Sequence, residues 1–139
     1  MIFENFVLTS LSDPEKTMTI ILIVDDDQSA TRLLSKIMLL EGYESVVVNE
    51  STQAIQVADC VNPDLFLVDL MMPGLNGFEL CKLLRSNPRF SATPIVIVSA
   101  MDDRNSRNSA LGAGANDYVA KPFLPEDLIQ RIKSLIKKT

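Results

Sequence analysis

The chain alternates short runs of apolar, mostly β-branched residues with longer segments whose apolar positions recur at helical spacing. The short runs predict strands at Thr19–Val24, Glu44–Val48, Asp64–Val68, Pro94–Ser99 and Asp117–Ala120. The longer segments predict helices at Gln28–Glu41, Ser51–Val61, Gly77–Ser86, Arg104–Gly112 and Pro125–Lys137. A regular alternation of strand and helix is typical of an α/β fold with a parallel sheet covered on both faces.

The first 18 residues lie outside this alternation. They contain scattered apolar side chains but no strand pattern. We therefore predict a loosely ordered extension at residues 1–18 and one domain at residues 19–139. The alternative is a short segment that docks on the domain or on a partner.

Composition narrows the class of protein. The chain has 139 residues, enough for one domain with its own core. The longest apolar runs, such as Ile20–Val24, are about five residues and too short to span a membrane. No basic residue precedes Lys16, so a secretory signal is not expected, and the predicted location is cytoplasmic without a membrane partner. The net charge of −5 argues against direct contact with nucleic acid.

The available residue types exclude several chemistries. The sequence contains no histidine, so a histidine general base, a phosphohistidine of its own and imidazole ligation of zinc are all excluded. Cys60 and Cys81 form no CxxC pair. Because both lie in apolar stretches, we predict that both are small buried side chains.

Polar side chains with phosphate chemistry follow the apolar strands where each strand ends. Asp25–Asp27 follow the first strand, Asp69 the third and Lys121 the fifth, while Ser99 closes the fourth. In open α/β sheets, ligands bind beyond the carboxyl ends of the strands. Mg²⁺ would relieve the repulsion among such carboxylates, and a hydroxyl and an ammonium would contact phosphoryl oxygens. An aspartate can itself be the nucleophile and form an acyl phosphate.

Four sequence blocks together resemble the receiver domains of two-component response regulators: ILIVDDD, PDLFLVDLMMPGLNGFEL, PIVIVSA and GANDYVAKPF. The resemblance extends over about residues 19–138 and implies a flavodoxin-like, doubly wound (βα)5 fold. The five-stranded parallel sheet would have strand order 2-1-3-4-5. The implied function is to accept a phosphoryl group from a histidine kinase or a histidine phosphotransfer protein. Such a domain is not a metabolic enzyme, although it catalyses its own phosphorylation and slow dephosphorylation.

The resemblance also implies a metal site. Asp69 matches the phosphoacceptor, and Asp25 and Asp26 match the acidic pair that holds Mg²⁺. Asp69 itself and the backbone carbonyl of Met71 would complete the protein ligands. Asp27 matches no such role, and we predict that it begins the first helix, where an acidic residue suits the helix dipole.

Three further residues match positions that respond to the phosphoryl group. Ser99 matches the hydroxyl that binds it, Lys121 the ammonium that contacts one of its oxygens, and Tyr118 the aromatic residue that changes rotamer together with the hydroxyl. The resemblance implies a cis peptide bond between Lys121 and Pro122.

Output is expected at the surface formed by helix 4, strand 5 and helix 5, where a downstream protein or output domain would bind. In the subset of receivers joined to winged-helix DNA-binding domains, paired ions at this surface form a homodimer. The matching residues here are Arg107, Asp117, Asp127 and Arg131. In the alternative interpretation they are solvated helix charges that contribute little.

The rate of dephosphorylation can also be predicted from the sequence. Met71 and Met101 flank the site and offer no group that could orient a water molecule. We therefore predict slow self-dephosphorylation.

Two other functions fit part of the pattern. Asp25-Asp26-Asp27-Gln28-Ser29 resembles the start of a haloacid-dehalogenase-type phosphatase, in which Asp25 would be the nucleophile. The chain is short for such an enzyme and shows no second acidic pair after a later strand. The other possibility is a receiver-like interaction module that does not accept phosphate.

Overall fold

The computed structural model describes residues 18–136. The strands are β1 (Ile20–Val24), β2 (Glu44–Val48), β3 (Leu65–Val68), β4 (Ile95–Ser99) and β5 (Asp117–Ala120). The helices are α1 (Gln28–Leu40), α2 (Ala54–Val61), α3 (Gly77–Ser86), α4 (Arg104–Gly112) and α5 (Pro125–Ile136). A 3-10 turn at Ser51–Gln53 leads into α2. The extension predicted at residues 1–18 falls, except for Met18, outside the described residues.

All neighbouring strands of the sheet are parallel, in the order β2-β1-β3-β4-β5. This order confirms the doubly wound, flavodoxin-like fold. The central strands β1, β3 and β4 are apolar throughout because helices cover both faces of the sheet. Val68 of β3 lies opposite Val24 of β1 and Ile97 of β4, so the three strands reach the same edge together.

Alternate residues of the strands enter two separate cores. Leu22 and Phe66 face α2, α3 and α4, whereas Ile23 and Leu67 face α1 and α5. This division follows from the two-residue period of a strand. Within residues 18–136, no helix is long and apolar enough to cross a membrane.

The helix ends near the sheet edge follow from local sequence. The Asp27 side chain accepts hydrogen bonds from the backbone N–H groups of Ser29 and Ala30, which confirms its role as the cap of α1. At the other end of this helix, Gly42 adopts a φ of +84°, which glycine adopts without steric cost.

The prediction for the cysteines is correct for Cys81, which is buried, and wrong for Cys60, which is exposed. The buried positions of α2 are Ala54 and Ala58. Cys60 lies two residues beyond Ala58, about 200° around the helix, and therefore faces solvent. An apolar neighbourhood in the sequence does not identify which side of a short helix a residue occupies.

Candidate functional site

Three carboxylates meet at the edge where β1 and β3 end. Asp25, Asp26 and Asp69 each present an oxygen, and these oxygens lie within 4.8 Å of one another. The parallel register causes this approach, because Asp25 and Asp69 directly follow the paired residues Val24 and Val68. Asp25 is 2% exposed and Asp69 9% exposed, whereas Asp26 faces solvent. The cluster therefore has a buried floor and an open side.

The environment of Asp69 favours its protonated form. Burial raises the pKa of Asp69 above its ordinary value of 3.8, and the negative charge of Asp25 raises it further. The Lys121 ammonium and hydrogen bonds from the Leu70 N–H and the Ser99 hydroxyl lower the pKa, but less strongly. An ionised Asp69 thus lies in a site with uncompensated negative charge, which a bound cation would offset.

Lys121 reaches this cluster from the end of β5. Its Nζ lies 2.8 Å from Oδ2 of Asp25, and the two side chains are 24% and 3% exposed. The other oxygen of Asp25 accepts a hydrogen bond from the Asp27 N–H at 3.0 Å. The Lys121–Pro122 peptide bond is cis, as the resemblance implied. Asp25 is therefore held from two sides.

The β3–α3 loop carries Met71, whose side chain is 64% exposed. The start of α3 packs tightly beneath this loop: Gly77 donates its N–H to the Leu70 carbonyl at 3.0 Å. A Cβ atom on Gly77 would lie 2.4 Å from the Asp69 carbonyl oxygen. Glycine at this position is therefore required for the close approach of α3 to the backbone of Asp69.

Ser99 lies in β4, the neighbour of the strand that ends before Asp69, and Tyr118 lies in the next strand, β5. Ser99 is 1% exposed, and its Oγ accepts a hydrogen bond from the Met101 N–H at 3.2 Å. The buried Tyr118 hydroxyl donates to the Met101 carbonyl. Burial raises the pKa of Tyr118, while a hydrogen bond with Ser99 and the charge of Arg107 lower it. Ser99 and Tyr118 are thus connected through the β4–α4 loop.

The four charges predicted for a dimer contact have partners within the chain. Arg131 lies 2.8 Å from Asp117 and 3.3 Å from Asp127. Arg107 forms an ion pair with Asp102, which immediately precedes the cap of α4. The dimer contact itself stays a prediction.

Two residues with structural roles were missed in the sequence, one beside the site and one at the opposite edge of the sheet. Asn49 donates to the Asp25 carbonyl at 2.8 Å and follows β2, so the rule that polar residues follow strands could have found it. Arg85 donates to the carbonyls of Gly114, Phe90 and Thr93 at 2.9, 2.9 and 2.6 Å and ties together loops at the opposite edge. An arginine near a helix end carries no sequence signal for such contacts.

Residues 21–133 match the model of the response regulator receiver domain family. The DNA-binding response regulator MtrA of Mycobacterium tuberculosis is 38% identical over 118 residues, which cover 85% of this chain and 50% of MtrA. A putative response regulator from Chloroflexus aurantiacus has a TM-score of 0.84 at 34% identity, covering 87% of this chain and 99% of that one. The BeF3-activated receiver domain of Klebsiella pneumoniae RstA has a TM-score of 0.80 at 30% identity. The match covers 85% of this chain and 98% of that one.

These relatives correct the predicted partners. The chain spans about half the length of the curated relatives it matches, and MtrA is named as DNA-binding. The expectation of no direct nucleic-acid partner is therefore wrong for regulators of this kind. It relied on a net charge of −5 that describes only these 139 residues. Charge within one domain does not predict what the rest of a regulator binds.

The family match, the strand order and the structural likeness agree over the same residues. The match covers most of the chain, including β1 from its second residue, the other four strands and the residues that follow each strand. The haloacid-dehalogenase-type phosphatase is not favoured by these findings. The chain belongs to the response regulator receiver domain family of two-component signalling proteins.

Proposed function

We propose that Asp69 accepts a phosphoryl group from a phosphohistidine of a partner protein, with Mg²⁺ bound beside it. The observation that carries this proposal is the cluster of Asp25, Asp26 and Asp69, whose oxygens lie within 4.8 Å of one another. Because this chain contains no histidine, the donor imidazole belongs to another protein, a histidine kinase or a phosphotransfer protein.

The residues of the cluster fit Mg²⁺. The ion prefers oxygen ligands and is usually held by one or two carboxylates, waters and phosphate oxygens. Asp25, Asp26 and Asp69 offer the carboxylates, and the backbone carbonyl of Met71 is the proposed additional ligand. The raised pKa of Asp69 supports this, since burial and the nearby Asp25 leave negative charge in need of a counterion. When bound, Mg²⁺ would offset charge on the transferring phosphoryl oxygens.

In the proposed transfer, an oxygen of ionised Asp69 attacks the phosphorus atom while the bond from phosphorus to the donor imidazole nitrogen breaks. The electron pair of that bond stays on the imidazole, and an acyl phosphate forms on Asp69. Ser99 would donate a hydrogen bond from its hydroxyl to a phosphoryl oxygen. Lys121, whose Nζ lies 2.8 Å from Oδ2 of Asp25, would contact another of these oxygens.

The output of the switch is proposed for the surface formed by α4, β5 and α5. Tyr118 lies in β5, and its hydroxyl contacts the β4–α4 loop that also contains the partner of Ser99. A movement of the Ser99 side chain would therefore alter the position of Tyr118 and so the shape of this surface. In regulators as long as MtrA, we infer that DNA binding belongs to sequence outside the matched region. The proposed compartment is the cytoplasm.

Labelling with acetyl phosphate tests the proposal. Wild-type protein is expected to gain one phosphoryl group in the presence of Mg²⁺ and none with a chelator, measured by intact-protein mass spectrometry under acidic conditions. Asp69→Asn is expected to abolish labelling. Asp59→Asn, which makes the same charge change at a surface ion pair with Arg89, is the matched control and should label normally.

The same experiment separates the alternatives. Labelling that persists in Asp69→Asn but disappears in Asp25→Asn would support the phosphatase-like chemistry. A folded wild-type protein that takes up no phosphoryl group from acetyl phosphate or from a phosphorylated kinase would support the interaction module and overturn the proposed function.

A further inference from the structure

The guanidinium of Arg107 makes two contacts that the phosphoryl-transfer chemistry does not use. Arg107 donates through Nε to the Asp102 carboxylate at 2.9 Å, with a second hydrogen bond from Nη2 to the same oxygen. Its Cζ also lies 4.8 Å from the centre of the Tyr118 ring, within the range of a cation–π interaction. Arg107 therefore joins β5 to the β4–α4 loop from the outside.

These contacts close a ring of interactions around the β4–α4 loop. Tyr118 donates its hydroxyl to the Met101 carbonyl, and the N–H of Met101 donates to Ser99. Asp102, the partner of Arg107, is the next residue along the chain. The loop is thus held at two successive residues, once by the Tyr118 hydroxyl and once by Arg107. Tyr118 is only 4% exposed, with Arg107 lying against its ring.

We propose that Arg107 is a positioning residue for the phosphoryl site, which acts by holding Tyr118 inward and the β4–α4 loop in place beside Ser99. The inference rests on the proposed function, because it is phosphoryl binding that the arrangement would favour. Arg107 touches none of the three carboxylates of the cluster. Its effect passes through Tyr118 and Met101 to the hydroxyl of Ser99.

The direction of the effect follows from linkage. If the held loop is the arrangement that binds the phosphoryl group, releasing it lowers the population competent to bind and weakens apparent affinity by the same factor. A partly exposed ion pair and a cation–π contact together are worth about a fivefold change in an equilibrium. Arg107→Ala is therefore expected to weaken phosphoryl-analogue binding by up to about fivefold.

The chain contains a matched control. Arg89 also pairs with a carboxylate, that of Asp59 at 2.9 Å, and its Cζ lies 5.4 Å from the ring centre of the buried Phe90. Arg89 precedes β4, at the opposite end of that strand from Ser99. Arg89→Ala thus removes the same charge and the same kinds of contact without reaching the β4–α4 loop.

The experiment is a titration of the 139-residue chain with beryllofluoride in saturating Mg²⁺, followed by fluorine NMR of the bound fluoride. The expected result is an affinity that is measurably weaker in Arg107→Ala, by up to about fivefold, and unchanged in Arg89→Ala. Arg107→Lys keeps the positive charge but loses the planar guanidinium and its stacking on Tyr118. Its beryllofluoride affinity should therefore recover less than half of the affinity that Arg107→Ala loses. Mg²⁺ affinity, measured by calorimetry without beryllofluoride, should stay within about twofold of wild type in all variants.

Tyrosine fluorescence gives a second readout. The chain has two tyrosines and no tryptophan, so emission in a Tyr43→Phe background reports on Tyr118. Adding Arg107→Ala should change this emission before beryllofluoride is added. Equal beryllofluoride affinity in wild type and Arg107→Ala would overturn the positioning role while leaving the proposed function intact. A wild type that binds Mg²⁺ but no beryllofluoride would overturn both.

Discussion

Replacing Asp69 with asparagine should stabilise the metal-free domain at neutral pH. The substitution removes one charge from a cluster whose carboxylate oxygens lie within 4.8 Å of one another, and keeps the shape of the side chain. Two unit charges at that distance repel by about 3.5 kcal/mol at an effective dielectric constant near 20, and by about 0.9 kcal/mol in bulk water. Since Lys121 already offsets part of the charge on Asp25, we expect a gain of about 1–2 kcal/mol in the free energy of unfolding.

The pH dependence of this gain has a defined sign. Because the pKa of Asp69 in the folded protein is raised above 3.8, the folded state holds its proton more tightly than the unfolded state does. Wild-type stability therefore falls, relative to the asparagine variant, as the pH rises from 3.8 through the raised pKa. Well below pH 3.8 residue 69 is uncharged in both proteins and in both states, so the difference should disappear.

Urea denaturation followed by circular dichroism measures the effect, with a chelator present and then with saturating Mg²⁺. Mg²⁺ should stabilise the wild type more than Asp69→Asn and so reduce or reverse the gain. Asp59→Asn, which breaks an exposed ion pair, is the control and should lose up to about 1 kcal/mol. Equal stability of wild type and Asp69→Asn at pH 7 without metal would refute the argument that charge repulsion at this site lowers the free energy of unfolding.

Three further predictions concern the backbone beneath Asp69, the opposite edge of the sheet and the lifetime of the phosphoryl group. In Gly77→Ala the added Cβ would collide with the Asp69 backbone, so the free energy of unfolding in urea should fall by about 1–3 kcal/mol. The same substitution should slow labelling by acetyl phosphate. Arg85→Met should cost about 1–3 kcal/mol of unfolding free energy because it removes the guanidinium donor from the partly buried carbonyls of Gly114 and Thr93, and a smaller loss would show that water replaces the guanidinium. The phosphorylated protein should lose its label slowly, since Met71 and Met101 orient no water; a half-life of seconds in purified protein with Mg²⁺ would contradict this.

Most of the fold could be predicted from the sequence because its signals are local. Apolar runs such as Ile20–Val24 and Leu65–Val68 identify strands buried on both faces, and the polar residue after each run identifies the functional edge. The parallel register then brings Asp25 and Asp69 together, since both follow paired strand ends. The helix predicted at Ser51–Val61 begins instead with a 3-10 turn at Ser51–Gln53, and α2 starts at Ala54. The hydrogen-bond pattern that distinguishes a 3-10 turn from an α-helix cannot be seen in the sequence.

What could not be predicted depends on contacts between distant residues. The contacts of Arg107 with Asp102 and Tyr118 and the fan of hydrogen bonds from Arg85 require specific rotamers, and in the sequence both arginines look like solvated helix charges. The exposure of Cys60 depended on the rotation of a short helix. Nor could net charge within one domain reveal the DNA-binding character of longer relatives such as MtrA.

The position of the acidic cluster on the central strands has a consequence for the route by which a signal leaves it. Strands β1 and β3 are hydrogen-bonded on both sides and buried on both faces, so their amides should exchange with solvent only on global unfolding. The sheet beneath Asp69 is therefore rigid, and we do not expect its strands to shift when a charged group is added to Asp69. We therefore expect any movement that phosphorylation causes to occur in the loops above the sheet, where β3 leads to α3 and β4 leads to α4. Hydrogen exchange before and after beryllofluoride binding should change in those loops while the amides of Val24 and Val68 keep their protection.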